Sequence, residues 1–167
     1  MYTIPVYSVH TAVDGGLNHA ELVVTGSMPI SRIPITSSQV AARLIADIPE
    51  SVCSLNLILL VLDAQDIPVR VCCASNKAID AGCLITLFGF VGRSGHRMII
   101  AGERENGLTV QDYHHERIQK LVAAAKAMDV VMLDYILVNS SGDFVSLTVE
   151  RRDFEMTDNG YDFAQVA

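Results

Sequence analysis

The chain has 167 residues, 12 of them Lys or Arg and 19 Asp or Glu, for a formal net charge of -7. Its sequence pI is near 5.0 and its mean hydropathy +0.34, so it can bury a core of one domain. The charge speaks against a general nucleic-acid surface, which needs clustered Lys and Arg. No uncharged apolar run reaches the ~18 residues of a membrane span. The opening Met1-Tyr2-Thr3-Ile4-Pro5 has no basic segment and no signal-peptide core, so the expected location is the cytoplasm, with no membrane partner.

In chain order, Ile4 to His10 reads as a strand, Asp14-Gly15-Gly16 as a turn and Ala20 to Thr25 as a second strand, together a hairpin. Gly26 to Pro34 reads as loop. Thr36 and Gln39 have the spacing of a capping box, and Val40, Leu44 and Ile45 the spacing of a helix that Pro49 ends. The continuous apolar run Leu55 to Leu62 fits a strand covered on both faces. A turn over Asp63 to Pro68 leads to a strand over Val69 to Ala74.

Ile79 to Val91 reads as a helix with one charge in thirteen residues. A helix apolar all round must be covered all round. It is either the central buried element or part of a subunit interface, with Ile79, Leu84, Leu87, Phe88 and Phe90 as the interface candidates. Gly92 to His96 is a turn. Met98 to Ala101 reads as a short buried strand and Arg117 to Met128 as a helix, with Ile118, Leu121, Val122, Ala125 and Met128 on one face. Val131 to Val138, a turn over Asn139 to Asp143, and Phe144 to Val149 form a closing hairpin. From Asp153 the chain is an acidic, polar, partly frayed tail. The class is α/β or α+β, one domain over residues 1–152 with a mixed sheet flanked by helices, then a tail over 153–167.

Four cysteines are present: Cys53, Cys72, Cys73 and Cys83. None forms a C-x-x-C pair. They read as small buried hydrophobes of a cytosolic chain. A thiol–imidazole pair of Cys72, Cys73 or Cys83 with His96 is the weaker alternative, since apolar surroundings make a thiol inert.

The stretch Lys120 to Leu147, KLVAAAKAMDVVMLDYILVNSSGDFVSL, resembles the end of a RadC-like domain of the JAB/MPN superfamily. There a helix leads into a Leu-Leu-Asp-His strand, a glycine turn and a Tyr-Val-Ser-Leu strand. Here those strands read Met132-Leu133-Asp134-Tyr135 and Phe144-Val145-Ser146-Leu147. LILLVLDAQDIPV resembles the family's strand–turn–strand, ITSSQVAARLI resembles its opening helix, and Val71 to Gly102 matches in length without a gap. The resemblance covers Ile4 to Val149. It implies a mixed sheet flanked by helices, in a cytidine-deaminase-like arrangement.

The family's catalytic motif is a Glu, then His-x-His, then seven residues to a Ser and two more to an Asp. Two imidazoles and a carboxylate hold zinc and leave a position for water, whose proton the Glu takes. Here Ala101-Gly102-Glu103-Arg104-Glu105-Asn106-Gly107 stands where the family has Ala-His-Asn-His-Pro-Ser-Gly. By position, Gly102 and Arg104 replace the histidines. The loop is about one residue short, so Gln111 falls at the Ser and His114 at the Asp. The His-Pro-Arg-Glu segment falls at Gly82-Cys83-Leu84-Ile85, and no Glu lies near Val69 to Asn76.

Arg104 repels a cation. It either pairs with Glu103, Glu105 or Asp112 or is a solvated loop residue. His114 and His115 with Asp112 form the best remaining metal constellation. A helical Asp112/His115 pair has the better geometry, and His10, His19 or His96 would complete it. The plain reading is an exposed polar first helical turn. The resemblance therefore implies a non-catalytic binding or assembly module without a metal cofactor, joined to a protein partner or a second copy of itself. The alternatives are a zinc-dependent hydrolase with a rearranged site and a DNA-repair accessory protein.

Overall fold

A continuous hydrophobic strand needs a layer on each side, and the computed structural model supplies both. It describes residues 2–14, 17–75, 81–148 and 160–162. Their order is β1 (Tyr2–Asp14), β2 (Leu17–Ile30), α1 (Ser38–Ala46), β3 (Leu57–Leu62), β4 (Pro68–Ala74), α2 (Ala81–Arg93), β5 (Met98–Arg104), α3 (Asp112–Ala127), β6 (Val131–Val138), β7 (Phe144–Thr148) and β8 (Gly160–Asp162). The strands form one mixed sheet in the order β2-β1-β4-β3-β5-β6-β7-β8. β1 runs parallel to β4, β5 to β6 and β7 to β8; the remaining neighbours are antiparallel. This is an α+β domain with three helices among the described residues. None of those helices is long and apolar enough to cross a membrane.

One core packs α1 against Ile4, Ile58, Leu60, Ile100 and Ile136. The other packs α2 and α3 against Leu57, Leu59, Val61, Tyr135 and Leu137. β3 alternates between the two, so all six of its residues are buried. α2 is therefore a core element. Leu84, Leu87 and Phe88 are buried by the chain itself, which removes them as interface residues. Phe90 is half-buried against the Tyr7 ring, with centroids 4.8 Å apart. Ile79 lies outside the described residues. Among the described side chains of α2, Ile85 is an exposed large apolar one.

Several boundaries differ from the sequence expectation. β2 continues through Met28 and Ile30, which pair with Ile4 and Tyr2 and are buried, so residues 26–30 are strand rather than loop. Gly26 permits this: a Cβ there would lie 2.6 Å from Val52 Cγ1. The N-cap of α1 is Ser37, whose Oγ accepts from the Val40 amide at 3.3 Å. The expected cap, Thr36, is exposed. The buried face of α1 is Ser38, Ala41, Ala42 and Ile45, and Val40 is exposed. β5 runs three residues past Ala101, and α3 starts five residues before Arg117. β8 falls within the segment expected to be tail; the rest of that segment lies outside the described residues.

Candidate functional site

Side chains alternate across a strand, so β5 sends Gly102 and Arg104 one way and Glu103 the other. Gly102 faces α1, where a Cβ would lie 2.5 Å from Ile45 Cδ1. Arg104 lies on the same face. Its guanidinium donates to the carbonyls of Ile48 at 3.0 Å and Leu55 at 2.7 Å, and also to that of Cys53. Burial lowers its pKa, yet the carbonyl fork keeps its donors satisfied. Arg104 is therefore neither paired with Glu103, Glu105 or Asp112 nor a solvated loop residue. It ties an irregular segment to the sheet.

Glu103 points to the α3 face and is fully buried. Its Oε1 accepts from Arg117 Nη1, and its Oε2 lies 3.4 Å from His114 Nε2. His114 is also fully buried, in contrast to the exposed first turn the sequence suggests. It is the third helical residue of α3, turned inward beneath Gln111. The Gln111 amide donates to His114 Nδ1 at 2.9 Å, and His114 Nε2 lies 3.0 Å from Glu105 Oε1. The Arg117 guanidinium stacks 5.2 Å from the Tyr113 ring centre. The Tyr135 hydroxyl, from β6, faces Glu103 and Arg117 without a well-formed hydrogen bond to either.

Burial raises the Glu103 pKa; Tyr135 and Arg117 oppose that, and Glu105 adds to it. Burial also raises the Tyr135 phenol well above its usual value, helped by Glu103. For Arg117 burial acts downward, but Glu103 and Tyr135 outweigh it and the net shift is up. The phenol and the guanidinium thus stay protonated, and the arginine is the cation of this pocket.

A hydrogen bond decides what His114 can do. Nδ1 accepts from a backbone N–H, so the proton of the neutral ring sits on Nε2, which donates to Glu105. A histidine that binds a metal through Nε2 has the reverse arrangement, with Nδ1 donating to a carbonyl or carboxylate. Glu103, Glu105 and His114 are the one group among the described residues whose donor atoms all lie within 4.8 Å of one another. Arg117 occupies Oε1 of Glu103, while the buried Oε2 has no hydrogen-bond partner; with a guanidinium on one carboxylate and a proton on His114 Nε2, the group as arranged does not fit zinc. The trio expected from sequence does not assemble: Asp112 is exposed and His115 does not join His114 at the cluster. His10 and His96 bring no ligand to it, and the His19 side chain lies outside the described residues. Gln111, at the position of the family's Ser, is the N-cap of α3.

A second buried carboxylate lies on the opposite face. Asp134 accepts from Ser38 Oγ at 2.6 Å, from Ser146 Oγ at 2.8 and 2.9 Å, and from the Tyr135 amide at 2.8 Å. Burial lifts its pKa to about 6, against the pull of these donors.

Near the carboxyl ends of β5 and β6, Glu105 opens on a cleft of about 270 Å³. Arg104, Asn106, Asn139 and Ser140 line it, and Ile48, Ser54, Leu55 and Asn56 wall it. A groove of about 690 Å³ adjoins it along Arg43, Asp47 and the β6–β7 turn. Among the cysteines, Cys53 and Cys73 form a disulfide across 20 residues, while Cys72 and Cys83 are buried thiols. The expectation of four thiols is corrected here, and Cys73 is removed as a nucleophile. Burial pushes the Cys72 thiol up to about 12, which makes it inert.

Sequence reasoning missed Glu103. The available signal was the pair Glu103 and Glu105 with strand spacing, followed by His114 and Arg117 with helical i, i+3 spacing. No protein-family model matches the chain, and no curated protein matches it.

Proposed function

We propose that this chain is a RadC-like JAB/MPN domain without a metal centre, acting as a binding or assembly module for a protein partner or for a second copy of itself. The observation that carries the reading is the Arg117 guanidinium on Glu103. A guanidinium cannot deprotonate and is no ligand. Its fixed positive charge supplies the countercharge of the buried Glu103 carboxylate, as a bound cation would.

The strand–loop–helix order supports the resemblance. Gln111 and His114 fall at the first and fourth positions of the helix end, where the family motif has Ser and Asp. His114 faces Glu103 and Glu105, whereas Gly102 and Arg104, which stand at the histidine positions, point to the other face of β5. The net charge of -7 favours a protein over DNA as partner.

Elemental mass spectrometry of protein purified with zinc supplied tests the reading. Well-folded protein with no stoichiometric metal is expected, for the native chain and for His114→Ala alike. About one zinc per chain, lost with His114→Ala, would overturn it in favour of a zinc-dependent hydrolase.

A further inference from the structure

We propose that the Cys53–Cys73 pair is a redox-responsive clasp that sets the wall of the cleft beside Glu105. This goes beyond the binding role proposed above and does not depend on which partner is bound. Residues 48–56 run between α1 and β3 without regular structure, so their carbonyls must find donors outside a ladder. Side chains provide them: Arg104 takes the carbonyls of Ile48, Cys53 and Leu55, and Thr25 Oγ1 donates to that of Val52 at 2.8 Å. The covalent tie is Cys53, joined to Cys73 on β4. The same segment supplies Ile48, Ser54, Leu55 and Asn56 to the cleft, opposite Glu105 and Asn106. One side chain, Arg104, touches both the clasp and the cleft.

Reduction removes the one covalent tie of this wall. Cys53 is 2% and Cys73 0% exposed, so the two thiols that result stay among close-packed neighbours and the wall is then held by hydrogen bonds and packing alone. β4 is hydrogen-bonded on both sides, to β1 and β3. The irregular segment is the part that can give, and the Cys53 carbonyl would drag the Arg104 guanidinium with it. Where the surroundings are reducing, a disulfide opens and closes instead of standing as a constant staple, and local opening of a short irregular segment gives a reductant access. Cys72 is on the other face of β4, in the core beneath α2, so it does not compete for either sulfur.

The chemistry is a two-electron exchange. Dithiothreitol breaks the S–S bond, gives two thiols and leaves as its cyclic disulfide; oxidised glutathione reverses this and leaves as two reduced glutathiones. The test is alkylation of the denatured chain read by intact mass, together with amide hydrogen exchange of the native chain. Protein treated with oxidised glutathione is expected to alkylate at two cysteines and reduced protein at four. Exchange over residues 50–56 is expected to rise about tenfold on reduction, with β3 and β4 unchanged. Cys53→Ser with Cys73→Ser is expected to give the fast pattern without reductant. Should that variant fail to fold, the reduced native chain alone decides. Four alkylated cysteines after oxidation would overturn the proposal. So would unchanged exchange over 50–56 after clean reduction, or faster exchange throughout β3 and β4, which marks a purely structural staple.

Discussion

Asp134 and Tyr135 are neighbours on β6, yet they serve opposite faces and two different kinds of buried polar cluster. On the α1 face, one carboxylate meets two serine hydroxyls and a backbone amide, with no countercharge. On the α3 face, two carboxylates meet an imidazole, a phenol and a guanidinium. The first cluster pins the start of α1 to β6 and β7. Hydroxyl donors satisfy a carboxyl in either protonation state, so that pin tolerates a proton. The second cluster holds a charge pair out of water, where each partner exists only because of the other.

The sharpest way to break this contrast is Arg117→Met. It leaves Glu103 buried without a cation, and about 3–5 kcal/mol of unfolding free energy should be lost in urea titrations. Adding Glu103→Gln should return most of that loss, because a neutral amide needs no countercharge. If Arg117→Met cost no more than a surface change, the cluster would not be the charged core described above.

A smaller effect separates the two faces by pH. The folded Asp134 pKa is raised to about 6, above the unfolded value near 3.9. Between these values the folded state holds more protons than the unfolded state, so this group's contribution to stability falls as pH rises. Relative to Asp134→Asn, the native chain should lose about 2 kcal/mol from pH 4 to pH 8, most of it below pH 7. Stability curves of the two proteins that stay parallel across this range would refute the assignment.

The smallest test concerns the helix that Asp134 anchors. Ser37→Ala should cost about 1 kcal/mol through loss of the N-cap, and Thr36→Ala close to nothing. Equal losses in thermal melts would mean that the cap lies where the sequence first suggests it.

Much of the fold is legible in the residues. Leu57 to Leu62 is apolar at every position, so it had to be an interior strand. Ile118, Leu121 and Ala125 recur with helical spacing and are the buried face of α3. The candidate site is less legible. Gly102-Glu103-Arg104 looks like the start of a polar loop, and Asp112 to Glu116 like an exposed turn, because local pattern assigns charges to water. The exception is a charge that finds its partner across a strand and a helix, and those lie fourteen residues apart for Glu103 and Arg117. Alternation on β5 also divides residues that a linear motif treats as a set. Gly102 and Arg104 cannot share a site with His114 through a sheet.

By itself, then, the sequence determined the alternation of strands and helices, the two-sided burial of β3, the acidic surface and the absence of the histidine pair. Hydrophobic periodicity and net charge are local or summed properties and need no contacts to be read. Tertiary structure alone decided that Glu103 and His114 are buried, that Arg117 supplies the cation for Glu103, that Arg104 holds a loop rather than a carboxylate, and that Cys53 meets Cys73. Each of these is a pairing between distant residues, and its energy exists only once packing has excluded water from both partners.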